Sequence, residues 1–299
     1  MLLPQKIGVL IIFFKPTRED VFNAKKNISY FDYGVIIWNS KKKFTVSNSK
    51  FSEIILETNV GQAEALNIGF RKAIDMGLNL LLTLDQDSKL INKGDNLKQI
   101  INSNFYRFSN PAGFSFLPIK DEKEYEKKYK KNSPILTLTT ITSGTIYLTS
   151  AWEKLNGFKS ELFIEGIDTE YAIRAKKNQF NFYEFDYPIL IHDAGVAISK
   201  NIFCFKIKIR KHSDVRLYLQ YRNNIPIFIK NLIYFPKWAF RSILNLFTKR
   251  FLISILGSRN IFITLLWIAR GTFDGLLELT FLKYKLRKQG SILKKHLKG

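Results

Sequence analysis

Two carboxylates separated by one residue follow an apolar run in the segment "LLLTLDQDS" (80–88). Asp85 and Asp87 come where a buried strand would end, and alternate residues of an extended segment can point the same way. Like charges held close together repel unless a cation lies beside them. Mg²⁺ and Mn²⁺ prefer oxygen ligands and often bind through one or two carboxylates plus substrate phosphates. A solvated loop with two acids is the plainer alternative, because this motif is short and common.

Other chemically capable residues lie further along the chain. Asp168 stands in "EGIDTEYAIRAKK" (165–177), at the start of a helical pattern where an acid also suits the N-terminus. A carboxylate with an ordinary pKa of about 3.9 is ionised at neutral pH and can accept a proton. Glu170 and Arg174 are spaced to pair on one helix face. His192 follows a second apolar run, 187–191, that ends as the run before Asp85 does.

An alternation of strand and helix patterns must position these groups. The predicted strands are Ile7–Phe14, Gly34–Trp38, Glu53–Glu57 and Leu80–Leu84. Between Gly61 and Gly77 the apolar residues have helical spacing, and Gly77 suits a helix C-terminus. This alternation predicts an α/β fold with a mostly parallel sheet and helices on both faces. In such folds ligands bind beyond the carboxyl ends of the strands, where Asp85 and Asp87 lie.

The composition favours an ordinary globular protein in a reducing compartment. The 299 residues are 46% hydrophobic, enough for one large domain with or without an appendage. The single Cys204 excludes an internal disulfide, and no Cys/His cluster suggests structural zinc, which favours a cytoplasmic setting. The first apolar run and the stretch 260–269 are both shorter than the ~20 residues of a spanning helix. We therefore expect no membrane crossing.

The last third of the chain is strongly basic. Residues 201–299 contain 20 of the 47 Lys and Arg but only three of the 25 acids. Apolar clusters alternate with basic residues there, and Pro226, Pro236 and Gly257 are predicted to divide the region into short helical segments. We predict one domain at 1–200 and a basic amphipathic helical region at 201–299 that associates with an anionic membrane surface. A packed helical subdomain with a solvated basic face is the plainer alternative; nucleic-acid binding is disfavoured because no nucleic-acid-binding motif occurs.

Four ordered segments carry a resemblance to a known family: "ETNVGQAEALNIGFRKA" (57–73), "LLLTLDQDS" (80–88), "TSGTIYLTSAWEKLNGFKSELFIEGIDTEYAIRAKK" (142–177) and "LIHDAG" (190–195). The chain resembles family 2 glycosyltransferases of the GT-A fold, and most closely bacterial rhamnosyltransferases of surface-polysaccharide synthesis. The resemblance implies an inverting, metal-dependent enzyme that moves L-rhamnose from dTDP-L-rhamnose. Its expected acceptor is a polyprenyl-diphosphate-linked glycan of O-antigen or capsule synthesis, at the cytoplasmic face of the inner membrane.

The resemblance also implies residue roles. Asp168 is the expected catalytic base, supported by Glu170 and Arg174, while Glu165 could orient the acceptor. Mg²⁺ or Mn²⁺ is expected at Asp85, Asp87 and His192. The expected donor-binding residues are Asn39, Asn59, Gly61, Asp85 and Arg222. The segment "TSGTIYL" (142–148) resembles a strand that lines the acceptor side, with Ser143 and Gly144 admitting the acceptor sugar.

Trp38 is a departure from the family pattern. Such enzymes usually have an Asp after the second strand that reads the pyrimidine base, whereas this chain has "IIWNS" (36–40). Trp38 either stacks on a base or fills the core, so the choice between dTDP and UDP donors stays open. Two other classes compete: a nucleotidyltransferase using the same acids, and a non-enzymatic basic protein that binds membranes or nucleic acid.

Overall fold

The computed structural model describes residues 6–42, 44, 46, 50–91, 97, 99, 108–116, 118–119, 134–191, 197–202, 205–210 and 213–296. The chain divides into two compact units. The first comprises Met1–Phe163 and Ile167–Ala194, and the second comprises Ile164–Gly166 and Gly195–Gly299. The functional division predicted at residue 200, with a membrane role for the second part, stays a prediction.

The first unit is built on a large sheet. Among the described residues, eight strands form this sheet in the order β3-β2-β1-β4-β8-β6-β9-β7. Their bounds are β1 Ile7–Phe13, β2 Gly34–Trp38, β3 Phe51–Ile55, β4 Leu80–Asp85, β6 Pro111–Phe116, β7 Ile135–Thr137, β8 Thr145–Leu148 and β9 Asn181–Phe185. The short strands β5 (Lys89–Leu90) and β10 (Leu190–Ile191) pair separately. Four of the seven pairings in the large sheet are parallel. The predicted α/β fold with a mostly parallel sheet is confirmed.

Local signals explain where the first helices begin and end. Helix α1 (Arg18–Ile28) begins at a capping box formed by Thr17 and Asp20. Helix α2 (Gln62–Asp75) has the predicted apolar spacing, and Gly77 follows its end with a φ of +70°, a conformation that favours glycine. Helices α3 (Thr149–Lys154) and α4 (Ile167–Lys177) follow in the same unit.

Helices cover both faces of the sheet, as predicted. Val9, Ile11 and Phe13 of β1 share one buried cluster with the apolar face of α1. Leu10 points the opposite way because side chains alternate along a strand. It lies under α2, where a Cβ on Gly69 would be 2.5 Å from Leu10 Cδ1. The glycine therefore allows α2 to pack closely on β1.

The second unit contains a hairpin and a group of helices. The hairpin strands are β11 (Ala197–Ile202) and β12 (Phe205–Arg210). The helices are α5 (Asp214–Lys230), α6 (Pro236–Asn245), a π-helix (Leu246–Arg250), α7 (Phe251–Gly257) and α8 (Ile261–His296). None of the helices within the described residues is both long and apolar enough to span a membrane.

Two of the three predicted helix boundaries in this unit are confirmed. Pro236 begins α6 and Gly257 ends α7. Pro226 is different, because it lies inside α5 and does not end it. Proline leaves the carbonyl four residues earlier, that of Arg222, without its usual helical donor. Tertiary packing retains the helix there: Ile225 to Phe228 are buried, and a Cβ on Gly275 of α8 would be 2.8 Å from that carbonyl oxygen.

Candidate active site

The acidic pair lies in a tight turn at the carboxyl end of β4. The strand is buried as far as Leu84, and Asp85, Gln86 and Asp87 are half-buried. The amide of Ser88 donates a hydrogen bond to the carbonyl of Asp85 at 3.1 Å, which closes a four-residue turn. Both acids are therefore presented from one short turn at the edge where α/β folds bind ligands.

Buried polar side chains anchor this turn from two sides. Ser143, just before β8, accepts a hydrogen bond from the amide of Asp85 at 3.1 Å, and its hydroxyl lies 2.7 Å from that of Ser88. Asn27 of α1 donates to the carbonyl of Ser88 at 2.7 Å and accepts from the amide of Leu90 at 2.9 Å. Because all these groups are shielded from water, their hydrogen bonds fix the backbone of the turn.

Gln86, between the two acids, ties the turn to neighbouring elements. Its side-chain oxygen Oε1 accepts a hydrogen bond from the backbone amide of Phe14 at 2.8 Å, and its side-chain nitrogen Nε2 donates to Asp20 Oδ2 at 3.3 Å. Gln62, the first residue of α2, donates to Asp85 Oδ1 at 3.4 Å. The end of β1, the start of α1 and the start of α2 thus meet at the acidic turn.

The predicted donor-binding asparagines hold each other. Asn39 Oδ1 accepts from the amide of Val60 at 2.9 Å, and its Nδ2 donates to Asn59 Oδ1 at 3.0 Å. Asn59 Oδ1 also accepts from the amide of Gly61 at 3.0 Å. Gly61 has a φ of +88°, and a Cβ there would be 2.5 Å from the Phe163 ring. These contacts give Asn39 and Asn59 a role in shaping the loop before α2.

Trp38 belongs to the hydrophobic core. Its side chain is fully buried and stacks on Phe13 with ring centroids 4.7 Å apart. The indole N–H donates to Glu53 Oε2 at 3.1 Å. A ring without exposed surface is closed to a nucleotide base, so the core-filling alternative is correct and the stacking alternative is wrong.

Asp168 lies in the first turn of α4, as predicted. Its side chain is half-buried, and Oδ1 accepts from the amide of Thr169 at 2.7 Å. A carboxylate in this position also benefits from the positive end of the helix dipole. The structure thus presents an acid with a fixed orientation at the helix start.

Glu170 and Arg174 brace α4 against the loop after α3. Glu170 is buried and binds Arg174 through Nε at 2.9 Å and Lys159 through Nζ at 2.8 Å. Burial alone would raise the pKa of Glu170, but the hydrogen bonds and charges of Arg174 and Lys159 hold it below its ordinary value. Arg174 also donates to the carbonyl oxygens of Leu155 and Gly157. These contacts hold Glu170 and Arg174 in place between α4 and the loop after α3.

A buried tyrosine connects the acidic turn with α4. Tyr147 of β8 is fully buried, and its ring packs edge-on against Tyr171 of α4 with centroids 5.7 Å apart. Burial, followed by the charge of Asp168 and with a contribution from that of Asp85, raises the pKa of the Tyr147 hydroxyl well above its ordinary value. Because β8 pairs with β4 and Tyr147 contacts α4, the elements that carry Asp85 and Asp168 are neighbours in the first unit.

The chain resembles known proteins in sequence and in fold. No family model matches the chain. Over 241 residues it is 26% identical to the dTDP-rhamnosyl transferase RfbF of Shigella flexneri, covering 75% of this chain and 80% of that protein. The crystal structure of S. aureus TarS 1–349 in complex with UDP-GlcNAc superimposes with a TM-score of 0.51 and 12% identity, covering 76% of this chain and 67% of that chain. The crystal structure of S. aureus TarS has a TM-score of 0.49 and 14% identity; the match covers 62% of this chain but only 36% of that longer one.

The chain has the GT-A fold of glycosyltransferases, and its sequence is related to that of a rhamnosyl transferase. The resemblance to GT-A glycosyltransferases, with a rhamnosyl transferase among its relatives, is confirmed.

Three further expected contacts belong to the second unit or fall outside the described residues. His192 falls outside the described residues. Arg222 belongs to α5 of the second unit and is half-buried. Glu165 also belongs to the second unit, where it binds Arg216 Nε at 2.8 Å. Among the described residues no group of three or more His, Cys, Asp or Glu is arranged to hold a metal ion. The metal ligands Asp85 and Asp87 stay a prediction.

Sequence reasoning missed two residues of the candidate active site. Asn27 occupies the inner face of α1 beside Val21, Ala24 and Ile28, and a polar residue in that apolar pattern was the available signal. Tyr147 gives no such signal, because an aromatic residue is ordinary in a buried strand.

Proposed function

We propose that this glycosyltransferase moves L-rhamnose from dTDP-L-rhamnose to a hydroxyl of a lipid-linked glycan in surface-polysaccharide synthesis. The relative named as a dTDP-rhamnosyl transferase supports the donor sugar and its nucleotide. The observation that carries the reaction is the acidic turn at the carboxyl end of β4, which holds Asp85, together with a second acid, Asp168, in the first turn of α4. One acid is suited to the diphosphate side and the other to the acceptor side.

The acidic turn fits a hard divalent cation. Asp85 and Asp87 supply oxygen ligands from a backbone held by Ser143 and Asn27, and such cations complete their coordination with substrate phosphates. We propose that Asp85 and Asp87, with His192 as a further ligand, would hold Mg²⁺ or Mn²⁺. The bound cation would supply Lewis-acid stabilisation of the negative charge on the leaving diphosphate.

Asp168 is the proposed general base. As the acceptor oxygen forms a bond to C1 of the sugar, its proton passes to the Asp168 carboxylate. The bond from C1 to the diphosphate oxygen breaks with its electron pair, and dTDP leaves from the opposite face, so the configuration at C1 inverts. Glu170 and Arg174 hold the helix that carries Asp168, which keeps the base oriented toward the acceptor.

Asn39, Asn59 and Gly61 are proposed to shape the donor side. Their mutual hydrogen bonds leave backbone and side-chain groups of the loop before α2 in a fixed arrangement. Arg222 is proposed as a diphosphate contact because a guanidinium matches phosphate geometry. The polyprenyl-diphosphate glycan acceptor follows from the resemblance to surface-polysaccharide enzymes.

A donor panel tests this proposal. Purified protein is incubated with dTDP-L-rhamnose, UDP-sugars and GDP-sugars, with Mg²⁺, Mn²⁺ or a chelator, and release of the nucleoside diphosphate is measured. We compare wild type with Asp87→Asn and Asp168→Asn, and use the exposed Asp75→Asn as a matched control. We expect use of dTDP-L-rhamnose that requires a metal, is lost in both site variants and is retained in the control.

Each part of the proposal fails on a different result. Turnover of a UDP-sugar alone would refute the rhamnose donor while retaining the reaction type. Full activity in the chelator would refute the metal. Full activity of Asp168→Asn would refute the base, whereas donor binding retained with transfer lost supports it.

A further inference from the structure

Helix α8 of the second unit has two chemically different faces. Its inner face packs on α5, where a Cβ on Gly271 would be 2.5 Å from the carbonyl oxygen of Tyr218. Thr264 and Ile268 on the same face are buried. Such close contact fixes which side of α8 is turned inward, because a side chain at Gly271 would separate the helices.

The outer face of α8 carries an exposed apolar stripe. Phe262, Leu266, Phe273 and Leu276 follow helical steps of four, seven and three residues, so they lie along one side. Phe262 is 70% exposed and Phe273 is 62% exposed. The stripe extends about 21 Å at the helical rise of about 1.5 Å per residue. Exposing such a continuous apolar surface to water is unfavourable.

A second exposed stripe runs along α6, the π-helix and α7. Phe240, Leu244, Phe247 and Leu252 are all exposed. The first three follow helical steps of four and three residues. The step of five from Phe247 to Leu252 spans most of the π-helix Leu246–Arg250, whose i to i+5 hydrogen bonds make its turn wider than that of an α-helix.

The charges around these stripes have one sign. Residues 231–280 contain six basic residues and two acids. Both acids are bound to α5: Asp274 accepts from the Tyr218 hydroxyl at 2.7 Å, and Glu278 accepts from Lys230 at 3.0 Å. The basic side chains of the segment that carries both stripes are Lys237, Arg241, Lys249, Arg250, Arg259 and Arg270. A partner for this surface must be apolar in its interior and negative at its rim.

We propose that these two stripes and their basic neighbours dock the enzyme on the surface of an anionic phospholipid bilayer. Apolar side chains would enter the boundary between headgroups and acyl chains, and the cations would meet the negative lipid headgroups. A second copy of the chain fits poorly, because pairing the same surface would bring basic residues against basic residues. This docking rests on the surface alone and is independent of the donor and acceptor proposed above.

Vesicle sedimentation of the full chain tests the docking. The probes are vesicles of phosphatidylcholine alone and of phosphatidylcholine mixed with phosphatidylglycerol, without donor or acceptor. We expect binding to the anionic vesicles that weakens as salt is added, because screening reduces attraction between exposed charges. The double variant Phe262→Ser, Phe273→Ser should lose at least about tenfold in affinity, since two large apolar side chains no longer enter the bilayer.

Matched controls separate surface chemistry from general effects. Phe22→Ser removes an equally exposed phenylalanine, 69% exposed, from α1 of the first unit and should bind like wild type. Lys249→Gln, Arg250→Gln should weaken binding to the anionic vesicles, whereas Lys25→Gln, Lys26→Gln on α1 should not. Failure to bind anionic vesicles, or binding unchanged by the Phe262 and Phe273 changes, would overturn the proposal. A dimer in solution that these changes dissociate, without vesicle binding, would assign the surface to a second copy instead.

Discussion

Asn27 holds the acidic turn although it lies about 60 residues away in sequence. Changing Asn27 to Ala removes the donor to the Ser88 carbonyl and the acceptor for the Leu90 amide, at 2.7 and 2.9 Å. A buried backbone group left unpaired costs about 1–3 kcal/mol. The two groups together give a local destabilisation of about 2–6 kcal/mol, with water entering the space reducing it toward the lower limit.

Hydrogen exchange measures this effect where it occurs. Asn27 itself accepts the hydrogen bond that protects the Leu90 amide from exchange. A local destabilisation of about 2 kcal/mol corresponds to roughly thirtyfold faster exchange of that amide when local opening limits the exchange rate. We expect that increase in the peptide spanning residues 85–91, together with lower transferase activity because the carboxylates of the turn lose their fixed positions. Asn23→Ala, at a mostly buried asparagine one helical turn earlier, is the matched control. Equal exchange of the Leu90 amide in Asn27→Ala and wild type would refute the anchoring argument.

Three further predictions concern Glu170, Tyr147 and Gly271. Because the folded-state pKa of Glu170 lies below its ordinary value, its ionised form stabilises the fold above an unfolded pKa of about 4.5, and this contribution is lost as pH falls through the folded pKa. Urea midpoints against pH should therefore fall less steeply on acidification in Glu170→Gln than in wild type, and parallel curves would contradict this. Tyr147→Phe removes a buried hydroxyl that lacks a hydrogen-bond partner among the described residues, so we expect unfolding stability within about 1 kcal/mol of wild type; a larger loss in thermal unfolding would indicate a bound water. Gly271→Ala should lower the stability of the second unit by about 1–3 kcal/mol despite better helix propensity, because the new methyl group meets the Tyr218 carbonyl; exchange protection of α5 that stays unchanged would argue against this contact.

Local signals in the sequence predicted much of the first unit. The strand Gly34–Trp38 has the predicted bounds, and β4 ends one residue later than predicted, at Asp85. The third strand was placed two residues too late, at Glu53–Glu57 rather than Phe51–Ile55, because its exposed edge position blurs the apolar pattern. These features are local, since apolar spacing and glycine conformations depend on neighbouring residues.

Tertiary structure decided which polar residues meet. Residues near the ends of β4 and β8 and on α1 converge at the acidic turn only because the sheet places those elements side by side. Hydrogen bonds between such distant residues leave no periodic trace in a single sequence. The same is true of Trp38, whose burial depends on the packing of Phe13 across the adjacent strand, and of Pro226, whose helix is buried where α8 approaches it closely. Local sequence patterns specify the elements and the acids at their ends, whereas three-dimensional packing specifies how those acids are held, because packing joins residues that the chain keeps apart.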